Sequence, residues 1–266
     1  MDLELAGKRA VVTGGSRGIG KAIARTLAEE GVSIVIASRG KKALESTAEE
    51  LSQETGSSVT GVVADTGSDD SVQNLIGEAK NILSGVDILV NSAARPGGQS
   101  TVPTLSEITT DEFNDHMNVK VMGYLRCARE AAPLMVEQRW GRIINISGMA
   151  SRNSGTVVGS MRNVAVTAMT KNLADELGPL GINVTVVHPG MTRTEATEGV
   201  ITRRAKSTGL SESEVEHQMA EGNSVKTIID ASDIAYVVTM LASPRSIAIN
   251  GDVIAAGGGV GTSIYY

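Results

Sequence analysis

The run Thr13-Gly14-Gly15-Ser16-Arg17-Gly18-Ile19-Gly20 sits between an apolar strand-like segment and a helix-like one. Small residues at that junction let backbone amides approach an anion, and the helix that follows adds the partial positive charge of its N-terminus. The chemistry this spacing supports is the cradling of a pyrophosphate by Gly14, Ser16, Arg17, Gly18, Ile19 and Gly20. A ribose with a free 2′-hydroxyl is met by an acid at the end of the second strand, where this chain has Ser38-Arg39. Guanidinium groups at Arg17 and Arg39 match a 2′-phosphate instead, so the expected cofactor is NADP(H) rather than NAD(H). Asp65, after the third strand, has the chemistry to accept from an adenine amino group, and equally to form the turn there.

The elements that must position these residues are read from apolar periodicity. Strands are expected at 9–13, 33–37, 58–63, 87–91, 142–147, 183–187 and 252–255, and helices at 19–30, 41–54, 71–83, 110–138, 164–177 and 231–242. Short Val- and Ile-rich runs alternating with amphipathic segments describe an α/β fold, a doubly wound parallel sheet (Rossmann) in three αβα layers. The chain of 266 residues is expected to form one domain over 1–266. The polar, glycine-containing stretch 192–226 interrupts the rhythm and reads either as a lid over the strand ends or as a helical excursion with no gating role.

Composition limits the partners. A net charge of −6 offers no broad attraction to nucleic acid or anionic membranes. Cys127 is the only cysteine, which rules out an internal disulfide and a cysteine-rich metal site. No apolar run approaches the length of a bilayer span, and the start Met1-Asp2-Leu3-Glu4 lacks the basic residues of a secretory signal. A cytoplasmic protein acting on a small molecule, without a metal, is the expectation.

Beyond the glycine loop, Asn91-Ser92-Ala93-Ala94, Asn118, Gly141 to Ser147 and Pro189-Gly190-Met191-Thr192-Arg193-Thr194 together resemble motifs of the short-chain dehydrogenase/reductase family along nearly the whole chain, particularly its 3-oxoacyl-carrier-protein reductase-like members. The resemblance implies that Asn91 braces the adenosine side of the pocket. It places the Ile19 amide, Pro189, Gly190 and the Thr194 hydroxyl along the pyrophosphate and nicotinamide, and it makes a homotetramer the expected assembly. It also implies a catalytic serine, tyrosine and lysine, and here the sequence departs: Gly148, Gly159 and Asn163 occupy those slots. No tyrosine lies between Tyr124 and Tyr236 and no lysine between Lys120 and Lys171. Of the family's catalytic group, Asn118 remains, and the Asn163 amide is expected to hold the ribose hydroxyls that the lysine would have held.

A ketone reduced by hydride needs a proton donor at the nascent alkoxide, which glycine does not supply. Arg162 is three residues past Gly159, within helical reach of the vacated space, and its competing reading is a solvated or interface arginine. His188 titrates near neutrality but competes with the reading of a satisfied structural histidine. Ser147 reads as a packed hydroxyl and His116 as structural. The space opened at Gly159 suits a bulkier ligand, unless Met161, Met149 or a lid side chain fills it. The expected activity is hydride transfer between NADP(H) and a carbonyl, enone or imine that needs no tyrosine acid. The alternatives are an inactive cofactor-binding regulator, a partner subunit in a mixed oligomer with an active reductase, and a non-redox enzyme using the enlarged pocket.

Overall fold

The computed structural model describes residues 2–95 and 102–262. Strands β1 (Arg9–Thr13), β2 (Ser33–Ser38), β3 (Val59–Val63), β4 (Ile88–Asn91), β5 (Gly141–Ile146), β6 (Ile182–Pro189) and β9 (Val253–Ala256) form a parallel seven-stranded sheet in the order β3-β2-β1-β4-β5-β6-β9. Side chains of a strand alternate between faces, and here both faces are covered, which is why the strands read as continuous apolar runs. Ala10, Val12, Ile34 and Ile36 pack with helices α1 (Gly18–Glu29), α2 (Lys41–Thr55) and α9 (Ala231–Ala242). Val11, Val35, Leu89 and Ile143 pack on the other side with α3 (Asp69–Leu83), α5 (Gly123–Glu137) and α6 (Val157–Leu177). The strand order reverses between β1 and β4, and in such sheets the crevice outside the carboxyl ends at the reversal is where ligands lie.

Two helices differ from the sequence expectation in ways that bear on the site. The segment 110–138 is not one regular helix. It runs as α4 (Thr110–His116), a π-helical stretch at Met117–Met122, and then α5, with the Gly123 amide reaching back to the Asn118 carbonyl. An inserted π turn re-aims the side chains around it and is frequent at functional sites. Helix α6 starts earlier than 164, at Val157, because the Thr156 hydroxyl accepts from the Gly159 amide and caps it. Gly159 to Asn163 therefore lie within its first two turns.

The stretch 192–226 carries helical structure of its own. A short strand β7 (Thr192–Arg193) leads into α7 (Thr197–Thr208) and α8 (Glu212–Ala220), whose Ile201, Val215 and Met219 close with Ile228 on a small separate apolar cluster. Strand β8 (Ile229–Asp230) pairs with β7. Among the described residues, no helix is long and apolar enough to cross a membrane.

Leu89 is fully buried in the centre of the sheet. Leu89→Ala is expected to lower the unfolding free energy by about 2–5 kcal/mol, read from urea denaturation curves.

Candidate functional site

The glycine loop forms a cradle in which side chains at Gly14 and Gly20 would press on backbone. Gly14 has φ +71 and a Cβ there would stand 3.0 Å from the Ala93 backbone, while a Cβ on Gly20 would run into the Gly14 carbonyl oxygen. At the mouth of the cradle the Gly18 amide donates to the Glu195 carboxylate at 2.9 and 3.2 Å. The N-terminus of α1 thus already holds an anionic oxygen. Glu195 follows directly on Thr194, whose methyl lies 3.7 Å from where a Gly18 Cβ would be. The turn after Pro189 and Gly190 is in this way brought onto the loop. Sequence reasoning missed Glu195, although its place beside Thr194 was a signal.

Around the cradle, Ser16 offers its carbonyl to the Thr47 hydroxyl at 3.1 Å, and Ile19 packs onto the core below α1. Arg17 and Arg39 are exposed. The Ser38 hydroxyl at the end of β2 is buried and makes no hydrogen bond among the described residues, an orphan polar group of the kind that calls for a partner. Asp65 accepts the Gly67 amide at 2.9 Å, so it forms the turn with one carboxylate oxygen. Asn118 donates to the Gly67 carbonyl at 3.0 Å and so braces that same turn. Asn91 is fully buried and donates to Asn145 at 3.0 Å, with Asn145 donating in turn to Thr170 at 2.9 Å. Its role here is to tie β4 to β5 and α6 from within.

The first turns of α6 hold the unexpected feature. The Lys120 ammonium, carried by the π turn, donates to Asn163 Oδ1 at 2.9 Å and to the Ser147 carbonyl at 3.0 Å. Lys120 is 3% exposed. Burial, reinforced by the charge of Arg162, brings its pKa down to about 7. No lysine lies between Lys120 and Lys171 along the chain, yet an ammonium stands beside Asn163 because Lys120 arrives from a different helix. The available signal was a lysine inside the apolar run Val119-Lys120-Val121-Met122 next to Asn118.

With Lys120 on its oxygen, the Asn163 amide turns its nitrogen toward Gly148, whose Cβ, if it had one, would lie 3.1 Å from Asn163 Nδ2. Ser147 donates its hydroxyl to the Asn163 carbonyl at 3.1 Å, a packed role as expected. The Thr156 hydroxyl lies where a Cβ on Gly159 would go. Met161 is half exposed.

Arg162 is buried, with 8% exposure, rather than solvated or at an interface. Its Nη1 donates to His116 Nδ1 at 2.6 Å and to the Arg95 carbonyl at 3.2 Å, and its Nε is buried without a partner among the described residues. Burial and the Arg162 charge both push the His116 pKa down, which keeps the ring neutral and able to accept. His188 is enclosed by Ser151 at 2.6 Å and Thr167 at 3.2 Å, and burial lowers its pKa to about 4. It is neutral and satisfied at physiological pH, the structural role. Tyr124 is fully buried, donates to the Ile146 carbonyl at 2.9 Å, and has its pKa raised by burial.

The model of the short-chain dehydrogenase family matches residues 8–205. The chain belongs to the short-chain dehydrogenase family. A 3-oxoacyl-[acyl-carrier-protein] reductase of Aquifex aeolicus is 31% identical over 262 residues, covering 98% of this chain and all of that protein. Among solved structures, L-sorbose reductase from Gluconobacter frateurii, complexed with NADPH and L-sorbose, superposes with a TM-score of 0.93 at 26% identity, covering 99% of this chain and 100% of its own. An NAD+-bound xylitol dehydrogenase superposes with a TM-score of 0.87 at 25% identity, covering 96% and 100%. The protein is thus an oxidoreductase of the short-chain dehydrogenase type, whose family uses nicotinamide cofactors.

The folded-state pKa of Lys120 lies below the unfolded value of 10.5. Between about 7 and about 10.5 the unfolded chain therefore carries a proton that the folded one has released, and stability rises with pH by up to about 1.4 kcal/mol per unit. Thermal unfolding scans should show this rise in the wild type, while Lys120→Met should be more stable at pH 7 and lack that component.

Proposed function

We propose that the protein binds NADP(H) and transfers hydride between it and a small carbonyl, enone or imine compound, without a tyrosine acid. The observation that carries the cofactor half is the Gly18 amide holding the Glu195 carboxylate, which supports reading the loop as an anion cradle. A pyrophosphate oxygen would take the place of that carboxylate, with Gly14 and Gly20 giving the close backbone approach. The unpartnered Ser38 hydroxyl, with the exposed Arg17 and Arg39, supports a phosphorylated ribose over a plain one. NADPH in the L-sorbose reductase complex supports the same reading, while NAD+ in the xylitol dehydrogenase keeps the choice a matter for measurement.

When bound, the nicotinamide supplies the hydride. The chain's part is to hold the acceptor and handle the proton. Gly148, Gly159 and Asn163 stand in the slots of the family's serine, tyrosine and lysine, and Tyr124 is committed to a backbone carbonyl. The groups left at the α6 end are the Asn163 amide and the Lys120 ammonium, which titrates near 7. An amide N–H and an ammonium stabilise developing negative charge on an acceptor, which suits a carbonyl or conjugated enone, whose reduction by hydride builds charge on oxygen, better than a cationic iminium. The assembly proposed is a homotetramer, and a mixed oligomer with an active reductase is the alternative that a copurifying partner would reveal. The stretch 192–226 is proposed as a lid because Glu195 ties its start to the cradle.

Titration calorimetry should show NADPH binding at least tenfold tighter than NADH, and Arg17→Ala with Arg39→Ala should remove most of that preference. Glu195→Gln, which takes the competing charge off the Gly18 amide, is expected to tighten NADPH binding several-fold. Absorbance at the NADPH band should fall with members of an enone and imine panel. Tight NADPH binding with no oxidation by any carbonyl, enone or imine would leave the protein a cofactor-binding regulator.

A further inference from the structure

The start of α6 and the π turn bury two cations with no acid between them. Lys120 and Arg162 are 3% and 8% exposed, and among the described residues neither forms an ion pair with a carboxylate. Two acids of α4 are turned to other uses. Asp115 is bidentate with Arg95 at 2.6 and 2.8 Å, and Glu112 acts on His116. His116 is a neutral acceptor for Arg162, with its pKa lowered by burial, so it balances no charge. Buried charges are normally paired or bound to a ligand, because leaving them bare is costly.

Three donors in this cluster are also unspent. Arg162 Nε is buried without a partner among the described residues. Lys120 uses two of its three N–H groups, on Asn163 and Ser147. Asn163, 95% buried by its 5% exposure, commits its oxygen to Lys120 and leaves its amide nitrogen without a hydrogen bond among the described residues, over the bare Gly148. Two positive charges, the one on Lys120 carried below about pH 7, together with leftover N–H groups match a planar anionic acceptor with two oxygens. We propose that Arg162, Lys120 and the Asn163 amide form an anion site that takes a carboxylate of the substrate. This deepens the proposed function, on which it rests, by naming the substrate class as a carboxylate-bearing carbonyl or conjugated acid. Arg162 and Lys120 hold the carboxylate, and the carbonyl or alkene attached to it is thereby fixed at the start of α6. Lys120 has a second, positioning effect, since its bond to Asn163 Oδ1 is what points the amide nitrogen outward.

The test uses the full chain and titration calorimetry in low-chloride buffer at pH 6.5. The probes are 2-oxobutanoate and fumarate, their amides 2-oxobutanamide and fumaramide, and inorganic phosphate. Both acids should bind saturably and at least tenfold more tightly than the amides, and Arg162→Gln and Lys120→Met should each erase that preference. Equal affinity for acid and amide, tighter binding of phosphate than of either acid, no saturable binding of either acid, or an unchanged preference in a folded variant would each overturn the proposal. If Arg162→Gln does not fold, Lys120→Met and the wild-type acid and amide pair decide it. NADPH titrated separately into the wild type tells the two readings apart: acid binding without NADPH binding would keep the anion site and remove the cofactor reading.

Discussion

Bringing an ammonium out of water into a protein costs several kcal/mol even after relaxation, and the local arrangement of α6 is organised around the one at Lys120. Its two protein acceptors are a backbone carbonyl, Ser147, and a side-chain amide, Asn163. Both are neutral, so they orient the charge without cancelling it. The consequences spread outward. The amide of Asn163 acquires a fixed sense, Gly148 stays bare because that amide lies over it, and Ser147 closes the set by donating to the Asn163 carbonyl. A second cation, Arg162, sits close enough to act on the first and is steadied by a neutral histidine.

What aims Lys120 is the break between α4 and α5. In a regular helix, residues two apart point to roughly opposite sides. Here Asn118 reaches away to the Gly67 carbonyl on the β3 side, and Lys120 reaches across to α6. The π stretch at Met117–Met122 carries both, and Arg126 holds it from below by donating to the Asn118 carbonyl at 3.2 Å while pairing with Asp69 at 2.8 Å. The polar braces of this region therefore belong to one network that joins the β3 turn, the π stretch and the start of α6.

The sheet was legible because burial on both faces writes β-branched runs such as Ser33–Ser38 into the sequence without interruption. The cradle was legible for a related reason: Gly14 and Gly20 are dictated by contacts within a few residues and one neighbouring strand. Lys120 was not, because its partner Asn163 is 43 residues away and their meeting depends on how two helices pack. The π turn also escaped, since it changes hydrogen bonding over a few residues without changing the apolar pattern on either side. Arg162 misled in the same way: arginine is usually exposed, and its burial follows from the acceptor that His116 presents on a separate helix.

The positions at the start of α6 are mechanically interlocked. A side chain at 159 displaces the Thr156 hydroxyl and uncaps the helix, which costs about 1 kcal/mol, and a side chain at 148 presses on the Asn163 amide that Lys120 has set. Exchanging any one of these residues for a larger one forces an adjustment in another, so substitutions here should show strong epistasis rather than additive effects. For a lineage carrying this arrangement, a change to a larger residue at 159 or 148 is a coordinated change of several positions and not a single step.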